Sequence, residues 1–303
     1  MSDALGTDVV VVTPALLRRR PLPSPGGSKN DKGRLLIVGG SRQTPGAVLL
    51  AAEAALRVGA GKVQVATTAS TATQLGVALP EGYVVGLPEE DGELSPSSAE
   101  RLLELAEGAD TVLAGPGLGD LDAARGLLES VVPHLTSTLV VDALGTAYLT
   151  AHPDGVRHLT GRALITPNVG ELAEVLGEDA ESVEKDVLDA VRRAASGTGA
   201  TVLSGIESSY VCEPSGEAWR LDVGAPGSAV AGSGDVQAGA VAGLLARGLS
   251  PARAAAWGAY IHGRAGERLT AEVGRTGFLA REVVRGLPAA LAEVELGVTD
   301  GSP

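Results

Sequence analysis

The chain has 303 residues, 44% apolar, 20% charged and only 2% aromatic, with one Phe and one Met, so its core must be built from Ala, Val and Leu. Its 24 basic and 37 acidic residues give a formal charge of −13, which argues against nucleic acid as a partner because an acidic surface repels phosphate backbones. No apolar run reaches the ~20 residues that cross a bilayer, and the basic Arg18–Arg20 follow the short run Val9–Val12 rather than preceding it, the wrong order for a secretory signal. A cytoplasmic protein without membrane partners is expected. The lone Cys212 fits a reducing compartment and reads as a small buried strand residue.

Residues 1–30 read as an N-terminal arm, because LLRRRPLPSPGGSKNDKG mixes Pro, Gly, Ser and charge and can bury little apolar surface. Arg18, Arg19 and Arg20 read as a solvated helix end, with a nucleotide clamp as the alternative. Residues 31–303 read as one domain. RLLIVGG, from Arg34, is a strand. PGAVLLAAEAALRVGAG is a helix ended by Gly59 and Gly61, and KVQVAT and YVVGL are the next strands. SPSSAERLLELAEGA is a capped helix, TVLAG a strand and LDAARGLLESVV a helix. TLVVDA and ALITP are strands, followed by helices over GELAEVLG and EKDVLDAVRRAASGTG. TVLSG is a strand, and SSYVCE and EAWRLD pair around Pro214-Ser215-Gly216. From Asp235 to about Glu272 the pattern is helical, broken near Gly248–Pro251.

Wholly apolar strands are buried on both faces, as in parallel sheets, and their alternation with helices gives a doubly wound, mostly parallel sheet flanked by helices, a three-layer α/β/α sandwich. In such sheets ligands sit beyond the carboxyl ends of the strands. That places the candidate site on six loops, read as strand-to-helix connections: 39–41, 115–119, 142–145, 166–171, 204–208 and 232–235.

The most informative of these is Gly232-Ser233-Gly234-Asp235, which opens a long Ala/Gly helix. Glycines admit close approach of backbone N–H groups, and the helix N-terminus favours an anion. Asp235 reads either as a first-turn charge of the helix or as a general base beside a phosphoryl-transfer anion hole, and spacing alone leaves both open. There is no GxxxxGK[ST], no GxGxxG after the first strand, no GxSxG with triad partners and no zinc-ligand spacing among one Cys and four His. His262, inside a helical run, reads as a packing histidine. The loop Ser204-Gly205-Ile206-Glu207-Ser208 could hold a nucleotide or be an ordinary turn. Glu171 could orient a magnesium-bound water or merely favour its helix dipole.

The order of these segments resembles the ADP-dependent NAD(P)H-hydrate dehydratase family of the ribokinase-like superfamily. The resemblance is carried by GRLLIVGGSRQTPGAVLLAAEAALRVGAGKVQVAT, then GPGLG, TPNVGE, SGIES, GSGDVQAGAVAGLLARG and AYIHGRAGE, from about Lys32 to Leu287. It implies a metabolite-repair lyase that phosphorylates the hydroxyl of hydrated NADH or NADPH (S-epimer) from ADP, or ATP in some members, with Mg²⁺. Elimination of phosphate then restores NAD(P)H, leaving AMP when ADP is the donor. By that resemblance Asp235 would be the catalytic base and a substrate contact. Ala47, Gly117, Gly119 and Asn168 would also contact the hydrate. Ser204, Gly205, Ile206, Glu207, Ser208 and Gly234 would hold the adenosine nucleotide, and Gly232, Ser233 and Gly234 would form the anion hole. The resemblance also implies a homo-oligomer. Three positions depart from the family pattern: Asn168 stands where HPGE has His, Ser204 where the nucleotide loop begins Lys-Gly, and Leu144 where a DAD strand end has its second carboxylate. Two other functions stay open here, a related kinase of vitamin-precursor alcohols and a nucleotide-binding paralogue with impaired turnover.

Overall fold

The computed structural model describes residues 9–23, 32–224 and 230–297. In chain order the elements begin with β1 (Val10–Val11), α1 (Pro14–Arg19), β2 (Arg34–Val38), α2 (Pro45–Arg57), β3 (Lys62–Thr68), α3 (Ala69–Ala78) and β4 (Tyr83–Leu87). A short hairpin, β5 (Glu89–Glu90) and β6 (Glu93–Leu94), precedes α4 (Ala99–Glu107), β7 (Thr111–Ala114), α5 (Leu121–Val131), β8 (Thr138–Val141), α6 (Ala147–Ala151) and β9 (Ala163–Ile165). The chain continues through α7 (Val169–Leu176), α8 (Ala180–Lys185), α9 (Val187–Thr198), β10 (Thr201–Gly205), β11 (Ser209–Cys212) and β12 (Ala218–Leu221). It closes with α10 (Ser233–Ala246), α11 (Pro251–Glu272) and α12 (Ala280–Leu296).

Ten strands form one sheet in the order β1-β12-β11-β10-β9-β8-β7-β2-β3-β4. Pairing is parallel from β10 to β4, and β10-β11-β12 turn back on one another antiparallel. The period of two along each strand divides the core into two layers. Leu35, Ile37, Val65 and Leu113 face α2, α10, α11 and α12. Leu36, Val38, Val112 and Leu139 face α4, α5, α7 and α9. The continuous apolar runs are therefore explained by helices on both faces, as expected of a doubly wound sheet.

With few aromatic side chains to fill space, the helices approach through small residues. A Cβ added at Gly239 of α10 would stand 2.2 Å from the Ala51 carbonyl oxygen of α2, and one at Gly243 would stand 2.8 Å from the Ala55 Cα. The two backbones touch where Ala and Gly face each other.

Several readings of the sequence need correction. Residues 9–23 are not an arm: β1 pairs in parallel with β12, and Val12, Leu17 and Leu22 are buried. The rest of the proposed arm, 1–8 and 24–30, lies outside the described residues. Arg18, Arg19 and Arg20 do lie exposed at the end of α1, as a solvated helix end should; Arg18 Nη1 also donates to the Val294 carbonyl and the Arg20 guanidinium lies over the Trp219 ring. The loop 204–208 joins β10 to β11 as a hairpin turn rather than leading into a helix. Helices α3 and α12 were not expected, because α3 is rich in Thr and Ala with a glycine inside and α12 contains Pro288. No helix among the described residues is long and apolar enough to cross a membrane.

Candidate active site

The loops beyond β2 and β7 interlock. The Gly40 amide donates to the Pro116 carbonyl at 2.8 Å, and the Ser41 amide donates to the Gly117 carbonyl at 2.7 Å. The Thr44 hydroxyl donates to that same Gly117 oxygen at 2.7 Å. Ala47 and Gly117 are brought together: a Cβ at Gly117 would come within 2.9 Å of the Ala47 Cβ and 2.6 Å of the Thr44 oxygen, so nothing larger than glycine fits. Gly119 lies beside them, but its amide donates to Glu93 Oε2 at 2.9 Å. Glu93 sits on the β5–β6 hairpin, which is docked on the other side by the Arg42 amide donating to the Gly92 carbonyl. The sequence carried no signal that this acidic hairpin would reach the glycine loop.

Asp142, directly after the apolar β8, is buried and accepts a 2.6 Å hydrogen bond from the Thr166 hydroxyl. Burial raises its pKa to about 8; the Thr166 hydrogen bond opposes this, and the nearby Asp235 and Glu171 carboxylates add to it. Ala143 follows with φ +48°, a left-handed conformation that costs a non-glycine residue energy and turns the chain sharply at the strand end. Leu144, partly buried, packs into the adjacent apolar layer. Asn168 caps α7: its Oδ1 accepts from the Glu171 amide at 2.9 Å, and Glu171 Oε2 accepts from the Asn168 amide at 3.0 Å. This capping box accounts for one Glu171 oxygen by helix geometry alone. Burial raises the Glu171 pKa, opposed by the Asn168 hydrogen bond.

Gly232 stands at the N-cap of helix α10; its φ of +86° suits glycine and it offers no side-chain oxygen to cap the first turn. The first-turn amides of a helix have no intrahelical acceptor, so an uncapped start presents donors to an anion. At Gly234 an added Cβ would meet nothing within 4 Å, so the backbone there borders open space. Ser233 departs from the expected anion hole: its amide donates to the Val230 carbonyl at 2.9 Å, which takes that N–H out of the set of anion donors in this structure. Its buried hydroxyl shares a 3.0 Å hydrogen bond with His262 Nε2. Asp235 lies in the first turn, and burial raises its pKa to about 6. Asp142, Glu171 and Asp235 thus converge at the carboxyl end of the sheet, held by β8, α7 and α10. The signal for Asp142 was an acidic residue ending an all-apolar strand.

The hairpin 204–208 lies at the same end of the sheet. Ser204 is buried with no hydrogen-bond partner for its hydroxyl, Ile206 is exposed, and the Ser208 hydroxyl donates to Asp222 at 2.7 Å. Gly205 packs too closely against Ser208 and Ser209 to accept a side chain. Among the described residues no three His, Cys, Asp or Glu side chains are close enough to hold a metal unaided. A donor set of one or two carboxylates fits an ion that takes most of its ligands from nucleotide phosphates and water, as Mg²⁺ does.

A family model described as NAD(P)H-hydrate dehydratase matches residues 35–289. The ADP-dependent (S)-NAD(P)H-hydrate dehydratase of Xanthomonas campestris pv. campestris is 40% identical over 294 residues, covering 96% of this chain and 99% of that protein. The bifunctional NAD(P)H-hydrate repair enzyme of Escherichia coli is 35% identical over 260 residues, 86% of this chain and 47% of its own length. The chain thus spans about half the length of such bifunctional relatives. Among solved structures, the ADP/ATP-dependent NAD(P)H-hydrate dehydratase of Bacillus subtilis, co-crystallized with ATP/Mg²⁺, superposes with a TM-score of 0.79 at 22% identity, over 96% of this chain and all of that one. The hydroxyethylthiazole kinase of Pyrococcus horikoshii gives 0.54 at 20% identity, over 79% and 92%.

Proposed function

The chain belongs to the NAD(P)H-hydrate dehydratase family, and from that premise we propose that it is an ADP-dependent carbon–oxygen lyase restoring NADH and NADPH from the S-epimer of their hydrated forms. The observation that carries the reading is the half-buried Asp235 in the first turn of a helix whose start is left uncapped, beside glycines that admit close backbone approach.

In this reading the hydrate lies against Ala47, Gly117, Gly119 and Asn168, with its ring hydroxyl facing Asp235. Asp235 takes the hydroxyl proton as the oxygen attacks the terminal phosphorus of ADP, and AMP leaves. The Gly232 and Gly234 amides receive the charge that develops on the transferred group. The phosphate ester is a better leaving group than hydroxide. Its elimination with loss of a ring proton restores the double bond, so hydrate and ADP yield reduced coenzyme, AMP, phosphate and one proton. Ser204, Gly205, Ile206, Glu207 and Ser208 would hold the adenosine nucleotide. Mg²⁺ would neutralise charge on the phosphates, with Glu171 orienting one of its waters. A cytoplasmic location and self-association belong to the same reading.

The test is incubation with hydrated NADH, ADP and Mg²⁺. The expected result is recovery of the reduced-nicotinamide absorbance with one phosphate and one AMP per NADH. A stable phosphorylated product without phosphate release would instead indicate a small-molecule kinase, and nucleotide binding without either would indicate a binding paralogue.

A further inference from the structure

We infer that His262 is a positioning residue for the anion-binding loop: its imidazole holds the Ser233 side chain, and with it the flanking Gly232 and Gly234 amides, where the phosphoryl group is received. The inference rests on the dehydratase reading for its kinetic readout.

A helix start that must bind an anion cannot be closed by its own cap, because the cap would occupy the donors. Gly232 brings no capping oxygen; its carbonyl accepts from the Val236 amide at 3.2 Å, and a Cβ there would meet Leu50 and Ala280. The restraint comes from the middle residue. Ser233 is tied twice, through its amide to Val230 and through its hydroxyl to His262. The second tie crosses 29 residues of sequence to the interior of α11, which packs along α10, so the loop is anchored in the core rather than in its own turn. Both partners are buried. The sequence His-Gly inside a helix gave only a packing histidine, yet its ring nitrogen ends on the first residue of the preceding helix, α10.

His262 is also held neutral. Burial lowers its pKa to about 4, against a smaller opposing effect of the Ser233 backbone. It therefore offers a directed hydrogen bond at physiological pH and no charge of its own. A purely packing histidine would affect stability when removed and leave the chemical step alone. A positioning histidine would affect the step through Ser233, because donors displaced by about 1 Å lose up to about a hundredfold in rate.

The experiment is a double-mutant cycle with His262→Ala, Ser233→Ala and the pair, accompanied by His262→Gln, whose amide reaches about as far as Nε2. Two quantities are read: kcat for hydrated NADH with ADP and Mg²⁺, and the affinity for inorganic phosphate in the presence of AMP, which needs no turnover. Each single variant is expected to lose about tenfold or more in both, with the Kd for ADP changed less than about threefold. The double variant is expected to be no worse than the weaker single, and His262→Gln to recover most of the loss. Losses that multiply in the double variant, or a Ser233→Ala enzyme with unchanged kcat and phosphate affinity, would overturn the inference. If His262→Ala fails to fold, Ser233→Ala and His262→Gln still decide it. A wild-type protein that never regenerates NADH but shows the coupled phosphate binding would remove the dehydratase reading and leave the positioning role standing.

Discussion

The buried Asp142 and the half-buried Asp235 both have raised pKa values, one felt in stability and the other in activity as well. As a base, Asp235 must be ionised, so kcat/KM is expected to rise with pH through about 6, the value to which burial raises its pKa. Asp235→Asn should lower turnover about a hundredfold or more while ADP binding, measured by calorimetry, persists. Asp142 is not asked to transfer a proton, and its raised pKa appears in stability. A folded-state pKa of about 8 against an ordinary value of 3.8 means the native state binds more protons between those values, so stability falls as pH rises across that window. Asp235 contributes in the same sense up to about 6. His262 contributes in the opposite sense between about 4 and its ordinary value of 6.5, because the unfolded chain protonates first. Above 6.5 Asp142 dominates, since the remaining changes at Asp235 and His262 are small and of opposite sign. Chemical denaturation of the ligand-free protein should therefore show a loss of up to about 2 kcal/mol between pH 6.5 and 8. Asp142→Asn, which can still accept from Thr166, should abolish most of that slope, and an unchanged slope would remove Asp142 as its source.

At the scale of elements, legibility followed physical signal. Strands β2, β3, β4, β7, β8, β9 and β10 were readable because each is a short, largely apolar run bounded by turn residues, and α7 because Asn168 and Glu171 open a helical run; the acidic hairpin β5–β6 was not. The β11–β12 pair was readable from its Pro-Ser-Gly turn. What escaped depended on partners far away in sequence. β1 has two residues and exists because β12 offers it an edge; α12 keeps its course through Pro288 because Val283, Val284 and Leu287 are buried against its neighbours. The glycine-rich loops at the carboxyl end of the sheet were legible as loops, whereas the contacts of Glu93 with Gly119 and of His262 with Ser233 were not, since each joins segments the sequence holds apart. The α2–α10 contact gives the sharpest test of packing. Gly239→Ala places a methyl carbon on the Ala51 carbonyl, with backbone on both sides and no flexible side chain to yield. It should cost about 2 kcal/mol or more in denaturant titrations, within the range for overpacking, while Gly234→Ala, open on that side, should leave stability nearly unchanged and weaken anion binding.

The whole molecule joins an acidic, aromatic-poor chain to one end of a ten-stranded sheet, where Gly loops, three carboxyls and a helix start converge. A ligand that binds only the folded protein stabilises it in proportion to the logarithm of its concentration, so ADP with Mg²⁺ at about a hundred times its Kd should add about 2.7 kcal/mol and raise the Tm by roughly 5 °C. The departures at Leu144, Asn168 and Ser204 leave the fold intact: Leu144 packs in an apolar layer, Asn168 caps α7 and Ser204 is buried. In the proposed reaction the Asp235 carboxylate and the adjacent amide cradle drive water out of the hydrated coenzyme at the expense of ADP. The most direct measurement follows reduced-nicotinamide absorbance after mixing hydrated NADH, ADP and Mg²⁺ with the wild-type protein and with Asp235→Asn. Regeneration of NADH by the wild type, slowed about a hundredfold or more in the variant, is the expected result. Absence of regeneration by the wild type, or near-equal rates in the two proteins, would contradict it.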